Sequence, residues 1–199
     1  MATPPVPFRV TICGIAELGE HCAAGVTHVL SILDPESSDP IAFASFPPHQ
    51  RLALRFHDII EPLPDRLPPS RHNIEQLLGF ARKLDEGHLL VHCHAGVSRS
   101  TAATTLILAQ AFPDRPAEDT LAAVVRLRPR AWPNLRMLEI GDELLARNGE
   151  LVAAASRVYR RLLDRDPLWQ EAMIDGGRGR EVIAALAAQR TGEDPQTLS

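Results

Sequence analysis

The chain has 199 residues, 45% of them hydrophobic and 23% charged, with a formal net charge of −4. That is an ordinary globular composition, far from the disordered class, at a length that favours one domain with room for a short appendage. The negative net charge argues against a nucleic-acid binder, no apolar run approaches the roughly 18 residues that span a bilayer, and three cysteines are too few and too scattered for a secreted disulfide framework.

The first residues, Met1 to Pro7, are Pro-rich and lack a charged segment followed by an apolar one, so no signal peptide is read there. The expectation is a cytoplasmic protein with no stable membrane insertion. Short strands are expected at Arg9–Cys13, at Val26–Leu33 (stopped by Asp34-Pro35), at Ile41–Phe46 and at Leu52–Phe56. Apolar residues then recur at helical spacing, Ile74, Leu77, Leu78, Ala81 and Leu84, behind a capping Ser70. After Gly87, His88–His92 reads as a buried strand, and Thr101–Ala111 as a buried helix ending near Pro113. Pro116 suits the first turn of the next helix, which stops before Pro129, and Asn134 is placed to cap a helix running to Gly149. Strands alternating with helices indicate an α/β fold. From Leu151 the chain is Ala- and Arg-rich and reads as helical, completing the core, with Trp169, Ile174 and Val182 as an alternative oligomer contact or site cover. Gly-Gly-Arg-Gly within Asp175–Arg180 reads as a break, and Thr191–Ser199 as a frayed end.

The segment richest in chemistry is Val91-His92-Cys93-His94-Ala95-Gly96-Val97-Ser98-Arg99-Ser100-Thr101. A short loop entering a helix N-terminus offers unpaired backbone N–H groups and a partial positive charge, which together cradle an anion. Gly96 permits the tight turn, and the Arg99 guanidinium matches two phosphate oxygens. A thiol at the bottom of such a cradle is favoured as a thiolate, the nucleophilic form. Cys93 is thus the candidate nucleophile and Arg99 the residue that binds phosphate and stabilises the transition state. His94, Ala95, Gly96, Val97 and Ser98 form the rest of the phosphate-binding loop. Ser100 is positioned to hydrogen-bond the sulfur and help it leave. His92 is expected to fix the loop rather than to act as a base. The His92-Cys93-His94 triplet lacks partners at metal-ligand spacing, so no metal or other cofactor is expected.

These residues resemble the protein tyrosine phosphatase superfamily, whose signature is His-Cys-x5-Arg-Ser/Thr. The segments Gly25-Val26-Thr27-His28-Val29-Leu30-Ser31 and Pro133-Asn134 are similar to those of its compact dual-specificity branch. The resemblance runs from about residue 8 to about residue 148, so a phosphatase domain over 1–150 and a C-terminal helical extension over 151–199 are expected. It implies a central mixed, mainly parallel sheet flanked by helices, with the signature loop at the C-terminal end of a central strand. It further implies that Asn134 braces that loop, and that an aspartate following the strand before the first long helix is the general acid. Here that is Asp58, with Asp65 as its competitor. The activity implied is phosphate monoester hydrolysis through a phosphocysteine, on phosphotyrosine or mixed phosphoprotein substrates. A phosphoinositide or other small phosphate ester is the alternative, and a non-catalytic phosphate-binding module is the competing class. The loop lacks the lysine pair of the phosphoinositide phosphatases. Cys13 or Cys22 could trap an oxidised Cys93 only from within disulfide range.

Overall fold

The computed structural model describes residues 8–188. Four strands, β1 (Phe8–Cys13), β2 (His28–Leu33), β3 (Gln50–Arg55) and β4 (Gly87–His92), form one sheet in the order β1-β4-β2-β3. The expected α/β fold with a mainly parallel central sheet flanked by helices is what is found, and among the described residues each strand pairing is parallel, with no antiparallel pair to make the sheet mixed. Strands β2 and β4 read His-Val-Leu-Ser-Ile-Leu and Gly-His-Leu-Leu-Val-His, nearly continuous apolar runs, because they lie inside the sheet with both faces covered. Successive side chains alternate between faces. Leu30, Ile32, Leu89 and Val91 enter the main core, whereas Val29 and Leu90 enter a smaller cluster with Cys13, Leu18 and Phe46.

The main core is closed by helices. Helix α1 (Arg71–Ala81) begins at Ser70, whose hydroxyl accepts from Asn73 N while Asn73 Oδ1 accepts from Ser70 N, a reciprocal cap. Helix α2 (Arg99–Ala111) is buried along most of its length and follows β4 directly. Helices α3 (Ala117–Leu127) and α4 (Leu135–Leu144) come next, the latter capped by Asn134 as expected. The helix expected to continue to Gly149 stops at Leu144. Ala146, Asn148 and Gly149 all adopt positive φ there, and the Asp142 carboxylate accepts from Gly149 N and Leu151 N, tying the turn to the next helix.

The expected strand at Ile41–Phe46 is instead a 3-10 turn, Ile41–Ser45. Pro40 offers its carbonyl to Phe43 N and Phe43 offers its own to Phe46 N, so the hydrogen bonds close locally. β3 already pairs with β2 at that edge of the sheet. Phe43 and Phe46, three residues apart, fall on one side of the turn and both rings meet the smaller core cluster.

Helices α5 (Glu150–Arg165), α6 (Leu168–Asp175) and α7 (Gly179–Ala187) are the last elements among the described residues. The expected break falls between α6 and α7, with Gly177 at positive φ. Leu151, Ala155, Tyr159, Val182 and Ala185 are buried in the same cluster as Leu30 and Val91, as expected of core-completing helices. The end read as frayed lies outside the described residues. Among the described residues, no helix is long and apolar enough to cross a membrane.

Candidate active site

The loop from Cys93 to Ser98 joins β4 to α2 at the C-terminal end of an interior strand. Its carbonyls are taken by the scaffold. His94 O accepts from Ile15 N at 2.9 Å, Ala95 O from Arg128 Nη2 at 2.9 Å, Val97 O from Trp132 N at 2.9 Å, and Ser98 O from Asn134 N at 3.4 Å. In a trans peptide the C=O and N–H point in opposite directions. With these carbonyls turned outward, the N–H groups of Ala95, Gly96, Ser98 and Arg99 are left for the concave side, a nest for an anion. Gly96 is required twice over. Its φ is +70°, and a Cβ there would lie 2.5 Å from the Cys13 carbonyl carbon. A Cβ on Gly14 would lie 2.8 Å from His94 O, so β1 and the loop meet backbone to backbone.

Cys93 is buried at the start of this loop, its Sγ 3.3 Å from Ser100 Oγ on the first turn of α2. His92 points to the opposite face, against the Phe43 ring, with Nδ1 3.4 Å from Cys93 O. Burial pushes its imidazole down to about 4, so the ring is neutral near pH 7. Cys13 pairs in register with His92 and lies in the smaller cluster, with Cys22 packed against it, while Cys93 lies in the main core. The nucleophile candidate and the other two thiols are therefore on opposite faces of the sheet. Burial also pushes the Cys13 thiol up to about 12.

Arg99 is held by one end of its guanidinium. Nη1 donates to Asp34 Oδ1 at 2.6 Å and to Phe56 O at 2.6 Å. Its Nε is buried without a hydrogen-bond partner, 4.0 Å from Asp58 Oδ2. The edge bearing Nε is thus the one left for a ligand. His94 lies at the rim, with Nε2 3.3 Å from Ser37 Oγ and 3.6 Å from Asp34 Oδ2.

Of the two aspartates weighed as general acid, Asp58 is the one brought to the loop. Its Oδ1 accepts from Ser98 Oγ at 2.7 Å, from Asn134 Nδ2 at 2.9 Å and from Arg178 Nη1 at 3.3 Å. Asp65 sits on an exposed turn with a φ of +56°. Asn134 does two things. Its Oδ1 accepts from Met137 N to cap α4, and its Nδ2 reaches Asp58 and Ile59 O. Its brace on the loop itself is through its backbone N–H to Ser98 O.

Three residues of this constellation were not singled out from the sequence. Asp34 reads there as a turn residue, although it follows directly on β2, whose register beside β4 carries it to the loop. Arg178 and Glu181 fall in and after a stretch that reads as a break. Arg178 is 80 residues from its partner Ser98, and nothing local marks it. Glu181 is fully buried and accepts from Trp132 Nε1, Leu135 N at 2.9 Å and Arg178 Nε at 2.9 Å. Burial raises its carboxyl, opposed by the Arg178 charge. A groove of about 690 Å³ adjoins the loop, lined by Ala95, Val97, Arg128, Arg130 and Trp169 among others.

No protein-family model and no curated protein matches the sequence. Solved structures do match. Human DUSP28 is similar at 19% identity with a TM-score of 0.52, over 69% of this chain and 94% of that one. A mouse putative dual specificity phosphatase complexed with zinc tungstate matches at 18% identity with a TM-score of 0.50, over 75% of this chain and 92% of its own. PTPMT1 matches at 18% identity with a TM-score of 0.50, over 70% of this chain and 90% of its own. The fold is the one these solved structures share. Within that fold, Cys93 and Arg99 occupy the turn from an interior strand into a buried helix.

Proposed function

We propose that this protein is a cysteine-dependent phosphatase that hydrolyses phosphate monoesters through a phosphocysteine on Cys93. The observation that carries the reading is the pairing of a buried sulfur with an unsatisfied guanidinium edge. Cys93 is buried at the start of a loop whose carbonyls are bonded outward, which leaves its N–H groups for the concave side, and Arg99 Nε is buried with no hydrogen-bond partner. A phosphoryl dianion would accept from the N–H groups and from Arg99 Nε, with its phosphorus held before the sulfur.

In the first step the Cys93 thiolate attacks phosphorus, the S–P bond forms and the P–O bond of the ester breaks. The electron pair leaves with the alkoxide or phenoxide oxygen, which takes a proton from Asp58. In the second step water attacks phosphorus and gives its proton back to Asp58. The S–P bond breaks, and Ser100 Oγ, 3.3 Å away, stabilises the departing thiolate. The products are an alcohol or phenol and inorganic phosphate. The loop N–H groups and Arg99 hold the equatorial oxygens, whose charge they meet without reorganising. The substrate class we propose is phosphotyrosine or mixed phosphoprotein, because the variable loop positions His94, Ala95, Val97 and Ser98 carry no lysine to meet a polyphosphorylated headgroup.

The test is turnover of para-nitrophenyl phosphate in EDTA by wild type and by Cys93→Ser. Turnover by wild type and none by the variant is expected. Turnover that survives the substitution would overturn the thiolate mechanism. Parallel panels of phosphopeptides and phosphoinositides then decide the substrate class, with the peptides expected to be the better substrates.

A further inference from the structure

Asp58 is not free at the mouth of the loop. Its Oδ1 is met by donors from three separate elements. Ser98 Oγ belongs to the loop, Asn134 Nδ2 to the N-cap of α4, and Arg178 Nη1 to the turn between α6 and α7. Arg178 is itself rigidly held. Its Nε and Nη2 donate to Glu181 at 2.9 and 2.8 Å, and Glu181 is fixed in turn by Trp132 and Leu135 N. Arg178 Nη2 also donates to Ser98 Oγ at 3.0 Å, which turns the Ser98 hydrogen toward Asp58.

A carboxyl oxygen has two in-plane lone pairs. With three donors crowded on Oδ1, no lone pair remains there for a proton. The oxygen left to carry one is Oδ2, which faces Arg99 Nε at 4.0 Å and hence the anion site. We infer that Arg178 is a positioning residue: with Ser98 it locks the Asp58 carboxyl so that Oδ2, turned to the phosphate, delivers the proton. This rests on the reading of Asp58 as the general acid. It gives the C-terminal helices a part in the chemistry through a guanidinium that never touches substrate.

The experiment is kcat/KM on 2,4-dinitrophenyl phosphate, whose leaving group departs without a proton, and on phenyl phosphate, whose leaving group needs one. Wild type, Asp58→Asn, Arg178→Lys and Ser98→Ala are compared. The quantity read is the ratio of the two rates, from which any loss of folded protein cancels. General acid catalysis is worth about 10²–10⁴ in rate. Asp58→Asn is expected to raise the ratio over that range, and Arg178→Lys and Ser98→Ala to raise it by about tenfold or more. Should Asp58→Asn steepen the ratio while the other two keep the wild-type value, the positioning role is overturned and the acid stands. A ratio unmoved by Asp58→Asn removes the acid assignment itself. If Arg178→Lys proves insoluble, Ser98→Ala, which cuts the same bridge without disturbing the buried pair, decides alone.

Discussion

At the scale of single residues the site is set by which face of each group is occupied. Arg99 spends Nη1 on Asp34 and on Phe56 O, and this fixes the plane of the fork before any ligand arrives. Asp34 has two opposed effects on an anion: its negative charge repels, and its hold on Nη1 orients. In the ground state these partly cancel. In the transition state, where alignment decides the barrier, orientation dominates. Asp34→Asn is therefore expected to lower kcat by about tenfold while changing the Ki for inorganic phosphate by less than about threefold, read from steady-state inhibition at constant ionic strength. Cys93, Arg99 and Ser100 were legible in the sequence because their geometry is local: one strand end, one loop and one helix start hold them all. Asp34 was not, since the same two letters, Asp-Pro, close countless ordinary turns. Only its strand's place beside β4 gives it a guanidinium to hold.

At the scale of elements, the turn from α3 to α4 transmits the C-terminal helices to the loop. Trp132 N holds Val97 O, the Trp132 ring stacks on Tyr159 at 4.6 Å, and Tyr159 Oη donates to Pro133 O. Tyr159→Phe removes that donor and leaves a buried carbonyl unpaired. The expected loss is about 1–3 kcal/mol of stability, measured by urea unfolding, with little change of fold because the ring stack remains. The start of α1, the caps at Ser70 and Asn134 and the parallel strands were legible because capping residues and apolar periods act within a few residues. The segment Ile41–Ser45 was misread because Ala-Phe-Ala alternation looks like a strand. What decides it is that β3 already holds that edge of the sheet and Pro40 supplies a local acceptor.

At the scale of the whole molecule, the buried residues of α5 and α7 lie in the same core as the sheet, so the division at residue 150 read from the sequence does not mark a gap in the packing. The fold also has a built-in acid sensitivity, carried by His92. Its imidazole protonates only near 4 in the folded chain because it is buried, against the ordinary 6.5 when unfolded. The unfolded chain thus binds the proton first as pH falls. The stability due to a neutral His92 is complete above about 6.5 and is lost progressively down to about 4. The amount is of order 3 kcal/mol. Urea midpoints, followed by tryptophan fluorescence, are expected to fall between pH 7 and pH 4.5, and His92→Gln is expected to flatten that dependence. Arg178 and Glu181 belong to this scale too. Arg178 meets Ser98 across 80 residues of chain and Glu181 meets Trp132 across 49, which is why no short window of sequence announces them.

The close meeting of Gly96 with Cys13 and Gly14 has a kinetic consequence. Two backbones in that contact, with the loop's carbonyls already bonded outward, leave the cradle no looser shape to relax into when empty. Oxyanion capture then requires little ordering of the protein. A rigid nest cannot tell an ester's phosphoryl group from the free ion released after it. For the phosphatase we propose, orthophosphate is therefore expected to compete for the same seat, so that turnover slows as product accumulates.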